Sequence, residues 1–253
     1  MKILLSNDDG IHARGIAELH KAIGHLGELC VCAPATERSA AGHAITLTDP
    51  IKTLNVEKDN TLFGTAVDGT PADCIKLAVR LLHKEVPPDL VVSGINLGSN
   101  TGISVLYSGT VSAASEAVIL GVPAIAISLC TYQNPHWETA AKVAADIVKK
   151  VIENPLPERT LLNVNIPNLP LSELRGMRAA RMGRSRFVEK FSEHLDPRGN
   201  RYYWLDGDLD LLDDTADADI RVVESGYVAL TPIHIDLTAD HCMEQVSVWN
   251  EEY

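Results

Sequence analysis

Short apolar runs alternate with helical patterns over the first two thirds of the chain, and this alternation limits the possible folds more than any other feature. Several runs are apolar throughout, which is typical of strands buried on both faces of a parallel sheet. Strands that alternate with helices are joined by right-handed crossovers. The sequence therefore predicts an α/β fold with a Rossmann-like, doubly wound, mostly parallel sheet. The predicted strands are "KILLS", "ELCVCAP", "DLVVSG", "PAIAISL" and "RTLLNVNIP".

Residue spacing predicts the helices between these strands. The first helix, in "GIAELHKAIGHLG", has its apolar residues on one face and Gly27 as its predicted stop. Thr70, Pro71 and Asp73 predict a second helix start, with a cap, a proline at the first position and an acid in the first turn. The apolar positions are Ile16, Leu19, Ile23 and Leu26 in the first helix, and Ile75, Leu77, Ala78, Leu81 and Leu82 in the second.

Three further elements follow from the same patterns. "VSAASEAVILG" predicts a helix that ends at Gly121, and "WETAAKVAADIVKKVIE" is the clearest helical pattern in the chain. "IKTLNV" and "TLFGTAV", separated by "EKDN", predict a β-hairpin.

The pattern changes near residue 171, which divides the chain into a predicted core (1–170) and a smaller β-rich C-terminal extension (171–253). In the extension, "RFVEKFSEHL" and "NRYYWL" flank the turn "DPRG" and predict a long hairpin. The hairpin is too long for the compact sheet, so we expect it to pack on another subunit.

An aspartate-rich segment, "DGDLDLLDDTADAD", follows the hairpin and is interpreted as a solvated loop and helix start. Asp206, Asp208 and Asp210 have D-x-D-x-D spacing. An EF-hand loop would continue with Gly at position 211 and Glu at 217, but the chain has Leu211 and Asp217. The spacing alone therefore gives little support for calcium binding.

Composition excludes several classes of function. The net charge of −12 argues against nucleic acid or anionic membranes as partners. No apolar stretch approaches the roughly 20 residues of a membrane span, and the first residues do not resemble a signal peptide. The five cysteines are an odd number without framework spacing, and "LCVCAP" fits a buried strand better than a metal site. We expect a reduced, cytoplasmic protein.

Polar residues follow three of the predicted strands. Asp8 and Asp9 follow the first strand, Arg38 and Ser39 lie in the loop after the second, and Asn96 begins the loop after "DLVVSG". In an open parallel sheet, ligands bind outside the carboxyl ends of the strands, so these loops should converge on one edge.

The donors expected at this edge are carboxylate, amide and hydroxyl oxygens. No cysteine and no histidine pair with zinc spacing is expected there. Oxygen ligands suit Mg²⁺, Mn²⁺ or Ca²⁺, and a divalent cation would explain two adjacent acids that otherwise repel each other. The alternative is ordinary turn chemistry, with Asp8 as a helix cap and Asp9 as a solvated turn residue.

The segment "YSGTVSAASEA" is a candidate anion site. Ser108, Gly109 and Thr110 place hydroxyl and backbone N–H groups at the positive end of a predicted helix, where phosphate binds well. The alternative is a simple Ser/Thr cap. The sequence contains no G-x-G-x-x-G after the first strand, no P-loop and no G-x-S-x-G motif.

Taken together, these stretches resemble the SurE family, the survival-protein phosphatases that act as 5′/3′-nucleotidases. The resemblance runs from the first residues to about residue 232. The segment 171–220 and the extreme tail contribute least to it. The matching stretches are "SNDDGIHARGI", "AP" with "RSAAGHAIT", "DGTPADCIKLA", "PDLVVSGINLGSN", "YSGTVSAASEA" with "GVPAIAIS", and "GYVALTP".

The resemblance implies one divalent metal ion per subunit, Mg²⁺ or Mn²⁺. The implied ligands are Asp8, Asp9, Ser39 and Asn96. It also implies a swapped C-terminal element that builds homodimers or homotetramers. The implied substrates are nucleoside 5′-monophosphates, with 3′-monophosphates and short polyphosphate for some members.

The expected reaction is phosphomonoester hydrolysis by a metal-activated water. Asp8 or Asp9 would take the proton of this water, and Asn96 with Ser108, Gly109 and Thr110 would bind the phosphate. Arg38 is either a phosphate clamp or a surface cation. His12 and His43 lie near the proposed site, but lone histidines are more often structural.

Two other functions are compatible with parts of this pattern. A haloacid-dehalogenase-like phosphatase would form a phosphoaspartate, but it places D-x-D-G-T after the first strand, whereas this chain has Asp-Asp-Gly-Ile. A non-catalytic nucleotide or metal sensor would bind AMP without hydrolysing it.

Overall fold

A large mixed sheet forms the centre of the structure, a computed structural model that describes residues 1–212 and 215–249. The strands are β1 (Lys2–Ser6), β2 (Glu28–Pro34), β3 (Thr53–Lys58), β4 (Thr61–Val67), β5 (Leu90–Leu97), β6 (Ala124–Cys130), β7 (Thr160–Pro167), β8 (Met177–Ala179), β9 (Arg186–Leu195), β10 (Arg201–Asp210) and β11 (Val228–His234). The α-helices are α1 (Arg14–Ile23), α2 (Pro71–Leu77), α3 (Gly109–Ile119), α4 (Trp137–Glu153), α5 (Asp219–Glu224) and α6 (Met243–Ser247).

Nine strands form the main sheet in the order β3-β4-β2-β1-β5-β6-β7-β11-β8. Six central strands run parallel to one another, in the order β4, β2, β1, β5, β6 and β7. Strand β3 is antiparallel to β4, and β11 is antiparallel to β7. The chain moves from β1 to β2 on one side and later returns to β5 on the other side of β1. The strand order therefore reverses between β1 and β5, and the predicted doubly wound α/β fold is confirmed.

Helices cover both faces of this sheet. Helices α1 and α4 pack together on one face, and α2 and α3 pack together on the other. The predicted apolar face of α1 is confirmed, because Ile16, Leu19 and Ile23 are fully buried. Each buried side chain of this size contributes about 1.5–3 kcal/mol to the free energy of unfolding. Helix α4 has the predicted bounds.

The predicted end of the first helix was wrong. Helix α1 ends at Ile23, and Gly27 lies outside it. A Cβ atom at Gly27 would lie 2.7 Å from the backbone oxygen of Met1. Glycine is therefore needed there for close backbone approach at the start of β2, which sequence spacing cannot distinguish from a helix stop. The stop at Gly121, with φ +85°, agrees with the prediction for α3.

The start of α2 is confirmed and its length is not. The Thr70 side chain accepts a hydrogen bond from the Asp73 N–H, and the Asp73 carboxylate accepts one from the Thr70 N–H, which together form a capping box. The regular helix ends at Leu77 and continues as one π-helical turn, 78–82. Leu81 and Leu82 were expected on the apolar face but are exposed.

The C-terminal part contributes both to the main sheet and to a separate hairpin. Strand β11 pairs with β7, and β8 pairs with β11, so the sheet continues beyond residue 170. Strands β9 and β10 form a two-stranded antiparallel sheet of their own. Nearly all described side chains of this hairpin are exposed.

The hairpin is longer than predicted. Asp206, Asp208 and Asp210 lie in β10 and pair with residues of β9, so their interpretation as part of a solvated loop was wrong. Strand alternation places their side chains on one face of the hairpin. The predicted helix start is present at Asp219. Asp213 and Asp214 of the same segment lie outside the described residues.

The cysteines behave as the sequence predicted. All five are free thiols, and those of "LCVCAP" lie in β2, where the Sγ of Cys32 lies 3.3 Å from the backbone oxygen of Cys74. Burial raises the pKa of the Cys30 thiol to about 11. Among residues 1–212 and 215–249, no helix is long and apolar enough to cross a membrane.

Candidate metal and phosphate site

The candidate site lies at the carboxyl edge of the sheet, where the strand order reverses. Asp8 follows β1, Asn96 lies near the end of β5, and Gly109 begins α3. Asp8 and Asn96 are buried, with 4% and 8% of their surface exposed. In doubly wound sheets this crevice is the general position of ligand sites, so the fold brings the predicted residues to the expected place.

The N-terminus of α3 holds the Asp8 carboxylate. The hydroxyl and the backbone N–H of Thr110 both donate to Asp8. A Cβ atom at Gly109 would lie 2.6 Å from the Cβ atom of Asp8, so only glycine allows this approach. The Ser108 hydroxyl caps the helix by accepting from the Val111 N–H at 3.1 Å. The positive end of α3 therefore stabilises and orients an acid of this chain.

The pKa values of both adjacent acids are raised above the ordinary value of an aspartate. Burial raises the pKa of Asp8, although the hydrogen bonds from Thr110 oppose this effect. The pKa of Asp9 is raised to about 7, mainly by burial and then by the negative charges of Asp8 and Glu37. Within the described residues, neither Asp8 nor Asp9 forms an ion pair with a lysine, arginine or histidine. The site therefore has an excess of negative charge that a cation would relieve.

Amide groups lie beside the acids. The backbone N–H of Leu97 donates to Asp9, which places the end of β5 against this carboxylate. The Nδ2 of Asn96 donates to the backbone oxygen of Gly98 at 2.9 Å, so its Oδ1 is the atom available as an acceptor. The Nδ2 of Asn7 donates to Gly10 at 2.9 Å, whereas its buried Oδ1 has no hydrogen-bond partner in the described part of the chain.

These donors fit a hard divalent cation. They are carboxylate and amide oxygens, which Mg²⁺ and Mn²⁺ prefer over nitrogen and sulfur ligands. The described residues contain no group of three or more His, Cys, Asp or Glu side chains arranged for metal binding. A cation at Asp8 and Asp9 would therefore complete its coordination with amide, hydroxyl or water oxygens.

The loop after β2 approaches the acids with its backbone. The backbone N–H of Arg38 donates to the backbone oxygen of Asp8 at 2.8 Å. The side chains bond elsewhere: the Ser39 hydroxyl donates to Glu37 Oε1 at 2.6 Å, and the Arg38 guanidinium pairs with Asp68 Oδ1 at 3.0 Å. The structure thus brings Asp8 together with the backbone of this loop, while the hydroxyl and guanidinium have other partners.

Two residues near the acids were missed by the sequence analysis. Glu37 contributes negative charge to both aspartates and binds the Ser39 hydroxyl. Asn7 closes the turn to Gly10, for which "SNDDG" was the available signal. Of the two histidines considered, His12 is exposed, and His43 bonds to Glu116.

A buried amide network supports the loop that follows β5. The side chains of Asn163 and Asn165 in β7 both donate to the backbone oxygen of Asn100, at 2.8 and 3.0 Å. The Asn100 side chain donates to the Ser128 hydroxyl at 2.8 Å. Such fully buried contacts fix loop geometry. The signal in the sequence was a pair of asparagines in an otherwise apolar strand, "LLNVNIP".

Comparisons with known proteins find relatives over nearly the whole chain. A family model described as "Survival protein SurE" matches residues 3–189. The chain is 43% identical to the 5′-nucleotidase SurE of Syntrophobacter fumaroxidans over 250 residues, covering 99% of this chain and 100% of that protein. It is 47% identical to the 5′-nucleotidase SurE of Desulforamulus reducens over 252 residues, with 98% of each covered.

The crystal structure of the SurE protein from Aquifex aeolicus has the same fold. It matches with a TM-score of 0.87 and 41% sequence identity, and the match covers 99% of this chain and 100% of that one. Sequence and fold thus agree over nearly the whole length, and the chain belongs to the SurE family.

Proposed function

We propose that this protein is a divalent-metal-dependent phosphomonoesterase that hydrolyses nucleoside 5′-monophosphates to a nucleoside and inorganic phosphate. The full-length relatives named 5′-nucleotidase support the substrate and the reaction. The single observation that carries the metal dependence is the pair of neighbouring acids, Asp8 and Asp9, at the edge where the strand order reverses. Their pKa values are raised, and in the described residues no cationic side chain neutralises them.

Asp8, Asp9 and Asn96 would hold the cation, with Ser39 as a further ligand once its hydroxyl leaves Glu37. A cation bound there would polarise a phosphoryl oxygen and lower the pKa of a water, which supplies the nucleophile. Asp8 or Asp9 would accept the proton of this water, because a ligand carboxylate lies beside it. Thr110 keeps Asp8 in place for ligation.

The phosphate-binding role rests on three groups. The N-terminus of α3, formed by Ser108, Gly109 and Thr110, places a helix dipole beside the acids and favours an anion. The Asn96 amide lies on the same edge of the sheet. Arg38 would join as a phosphate clamp by exchanging Asp68 for the substrate, and its exposed position allows this movement.

Further properties belong to the same proposal. The substrates include 3′-monophosphates and short polyphosphate, and the cation is Mg²⁺ or Mn²⁺, one per subunit. The protein forms homodimers or homotetramers in the cytoplasm, without nucleic acid or membrane partners. We propose residues 1–170 as the core and 171–253 as an extension with a hairpin exchanged between subunits. The exposure of large side chains on this hairpin, such as Phe191 at 70% and Trp204 at 65%, supports a partner surface.

The proposal is tested by phosphate release from a panel of nucleoside 5′- and 3′-monophosphates and polyphosphate. Each substrate is incubated with Mg²⁺, with Mn²⁺ and after dialysis against EDTA. We expect release from 5′-monophosphates that requires a divalent cation and returns when the cation is added back. Binding of AMP without phosphate release would instead indicate a sensor. A trapped phosphoaspartate would indicate the covalent mechanism of haloacid-dehalogenase-like enzymes.

A further inference from the structure

We infer that Glu116 is a positioning residue that anchors the loop carrying Arg38 and Ser39 through its bond to His43. This loop, residues 35–52, connects β2 to β3 and is called the 35–52 loop below. The inference rests on the proposed function, because it assigns the loop to the metal and phosphate site. It concerns the cluster of Glu116, His43 and Lys76, which the proposed chemistry does not use.

Glu116 is a buried acid with two partners. Its side chain lies in α3 and is only 3% exposed. The Nε2 atom of His43 lies 2.9 Å from Glu116 Oε2, and the Nζ atom of Lys76 donates to Glu116 Oε1 at 2.6 Å. Burial raises the pKa of Glu116, but the bonds from His43 and Lys76 outweigh burial and lower the pKa below its ordinary value. The cluster therefore holds an ionised acid, whose hydrogen bonds are stronger than those between neutral groups.

The anchor lies close to the proposed ligand in the chain. His43 follows Ser39 by four residues, and the backbone N–H of Arg38 is fixed to the Asp8 oxygen at 2.8 Å. Ser39 thus lies in a short segment that is tied at one end to the acids and at the other end to α3. Fixing both ends reduces the conformations that Ser39 samples and so reduces the entropy lost when a ligand is bound.

The same helix serves both sides of the site. The first turn of α3 holds Asp8 through Thr110, and Glu116 lies about two turns later in the same helix. A rigid helix therefore sets the position of Asp8 relative to the 35–52 loop. This arrangement explains why a fully buried acid occurs in a helix that otherwise presents small and apolar residues to the sheet.

A second anchor holds the far part of the loop and serves as an internal reference. The Asp73 carboxylate accepts from the Thr46 N–H at 3.0 Å and from its hydroxyl at 2.6 Å. Thr46 lies farther from Ser39 along the chain than His43. The backbone is also held on both sides of His43: the Gly42 N–H donates to the Tyr107 oxygen at 3.1 Å, and the Ala44 oxygen accepts from the Thr70 hydroxyl at 2.7 Å. Loss of the Glu116 anchor should therefore loosen the segment around Arg38 and Ser39 while these contacts keep the rest of the loop attached.

The experiment compares four variants. Glu116→Gln removes the charge, and His43→Leu removes the donor from the half-exposed side of the contact. His43→Gln keeps a donor at the same distance along the side chain. Asp146→Asn is the matched control, because it breaks an exposed pair with Lys142 on α4, on the other face of the sheet.

The first measurement is made on the metal-free protein. Trypsin cleaves after Arg38, which is exposed, and mass spectrometry gives the cleavage rate at the Arg38–Ser39 bond. We expect an increase of about tenfold in Glu116→Gln and His43→Leu, as loss of a charged hydrogen bond predicts. His43→Gln should restore most of the protection, and Asp146→Asn should match the wild type.

The second measurement is Mn²⁺ affinity by titration calorimetry, followed by phosphate release. We expect the dissociation constant to rise about tenfold in Glu116→Gln and His43→Leu, with kcat at saturating Mn²⁺ within about threefold of the wild type. A lower melting temperature with unchanged cleavage rate and Mn²⁺ affinity would overturn the inference, as would equal behaviour of His43→Gln and His43→Leu. Failure of the wild type to bind Mn²⁺ would refute the proposed function. The cleavage rates of the metal-free variants would still test whether Glu116 anchors the 35–52 loop.

Discussion

Two groups of closely spaced aspartates in this chain have opposite surroundings. Asp8 and Asp9 lie at the carboxyl edge of a parallel sheet, and the pKa of each is raised, mainly by burial. Asp206 and Asp208 lie in an antiparallel hairpin and are exposed. Asp208 pairs there with Lys190.

The difference shows what makes a cluster of acids a candidate site. In β10 the acids lie on one face of the hairpin, remain in water and have a lysine available. After β1 the acids are adjacent, Asp8 is buried and Asp9 is partly buried. Asp8 contacts the end of α3 rather than a cationic side chain. Position in the fold, and not the number of carboxylates, decides which group can recruit a divalent cation.

The largest expected effect is on catalysis. Asp8→Asn or Asp9→Asn should lower kcat/KM for a nucleoside 5′-monophosphate by at least about 100-fold, because each removes a ligand and a proton acceptor from the reacting centre. Asparagine has nearly the same shape, so the fold should persist. The measurement is steady-state phosphate release with Mn²⁺, accompanied by thermal unfolding.

The hairpin supplies the matched controls for this prediction. Asp206→Asn and Asp208→Asn make the same chemical change at exposed positions and should retain activity within about twofold, since surface substitutions have small effects. Wild-type-like activity in Asp8→Asn or Asp9→Asn would contradict the assignment. Equal losses in both groups would show that the comparison rests on something other than burial at the sheet edge.

Local patterns predicted most of the core because its elements are defined by short-range spacing. Helix α4 and the strands from β5 to β7 are apolar or amphipathic over their full length, so their identity does not depend on the rest of the chain. The errors occur where tertiary contacts decide. Leu81 and Leu82 fit a helical face but lie in a π-helical turn that leaves them exposed. The pairing of β11 with β7 joins segments about 65 residues apart and has no local signature.

For the candidate site, the residues at the sheet edge were predictable, but the side-chain contacts of the loop after β2 were not. The rule for strand ends brings Asp8, Asn96 and Thr110 to one edge, and the structure places them there. The side chains of Arg38 and Ser39 were not predictable, because they are exposed and their partners, Asp68 and Glu37, depend on how the loop folds. The choice of Ser39 as a ligand came from family resemblance alone and stays a prediction.

An intermediate effect is expected at Thr110, whose hydroxyl and backbone N–H donate to Asp8 at the sheet edge. Thr110→Val keeps the volume and removes the hydroxyl that donates to Asp8. Mn²⁺ affinity and kcat/KM should fall about 10-fold, as for other groups that orient a metal ligand. Thr110→Ser keeps the hydroxyl and should remain close to the wild type. Equal values for the two variants would show that the hydroxyl does not position Asp8.

The smallest effect is the pH dependence of stability in the metal-free protein. Folding raises the pKa of Asp9 from an ordinary value of 3.8 to about 7, and that of Asp8 in the same direction. Between these values the folded chain binds more protons than the unfolded chain. The free energy of unfolding should therefore decrease as pH rises from about 4 to 7.

Urea unfolding at several pH values in EDTA measures this slope. Asp9→Asn removes one of the two acids and should make the slope shallower, whereas Asp206→Asn, an exposed change of the same charge, should leave it as in the wild type. Saturating Mn²⁺ should also reduce the loss of stability toward neutral pH, because it binds the ionised acids of the folded state. If Asp9→Asn leaves the pH dependence of the unfolding free energy unchanged, ionised Asp9 is not destabilised in the folded protein. The electrostatic reason for recruiting a cation would then disappear.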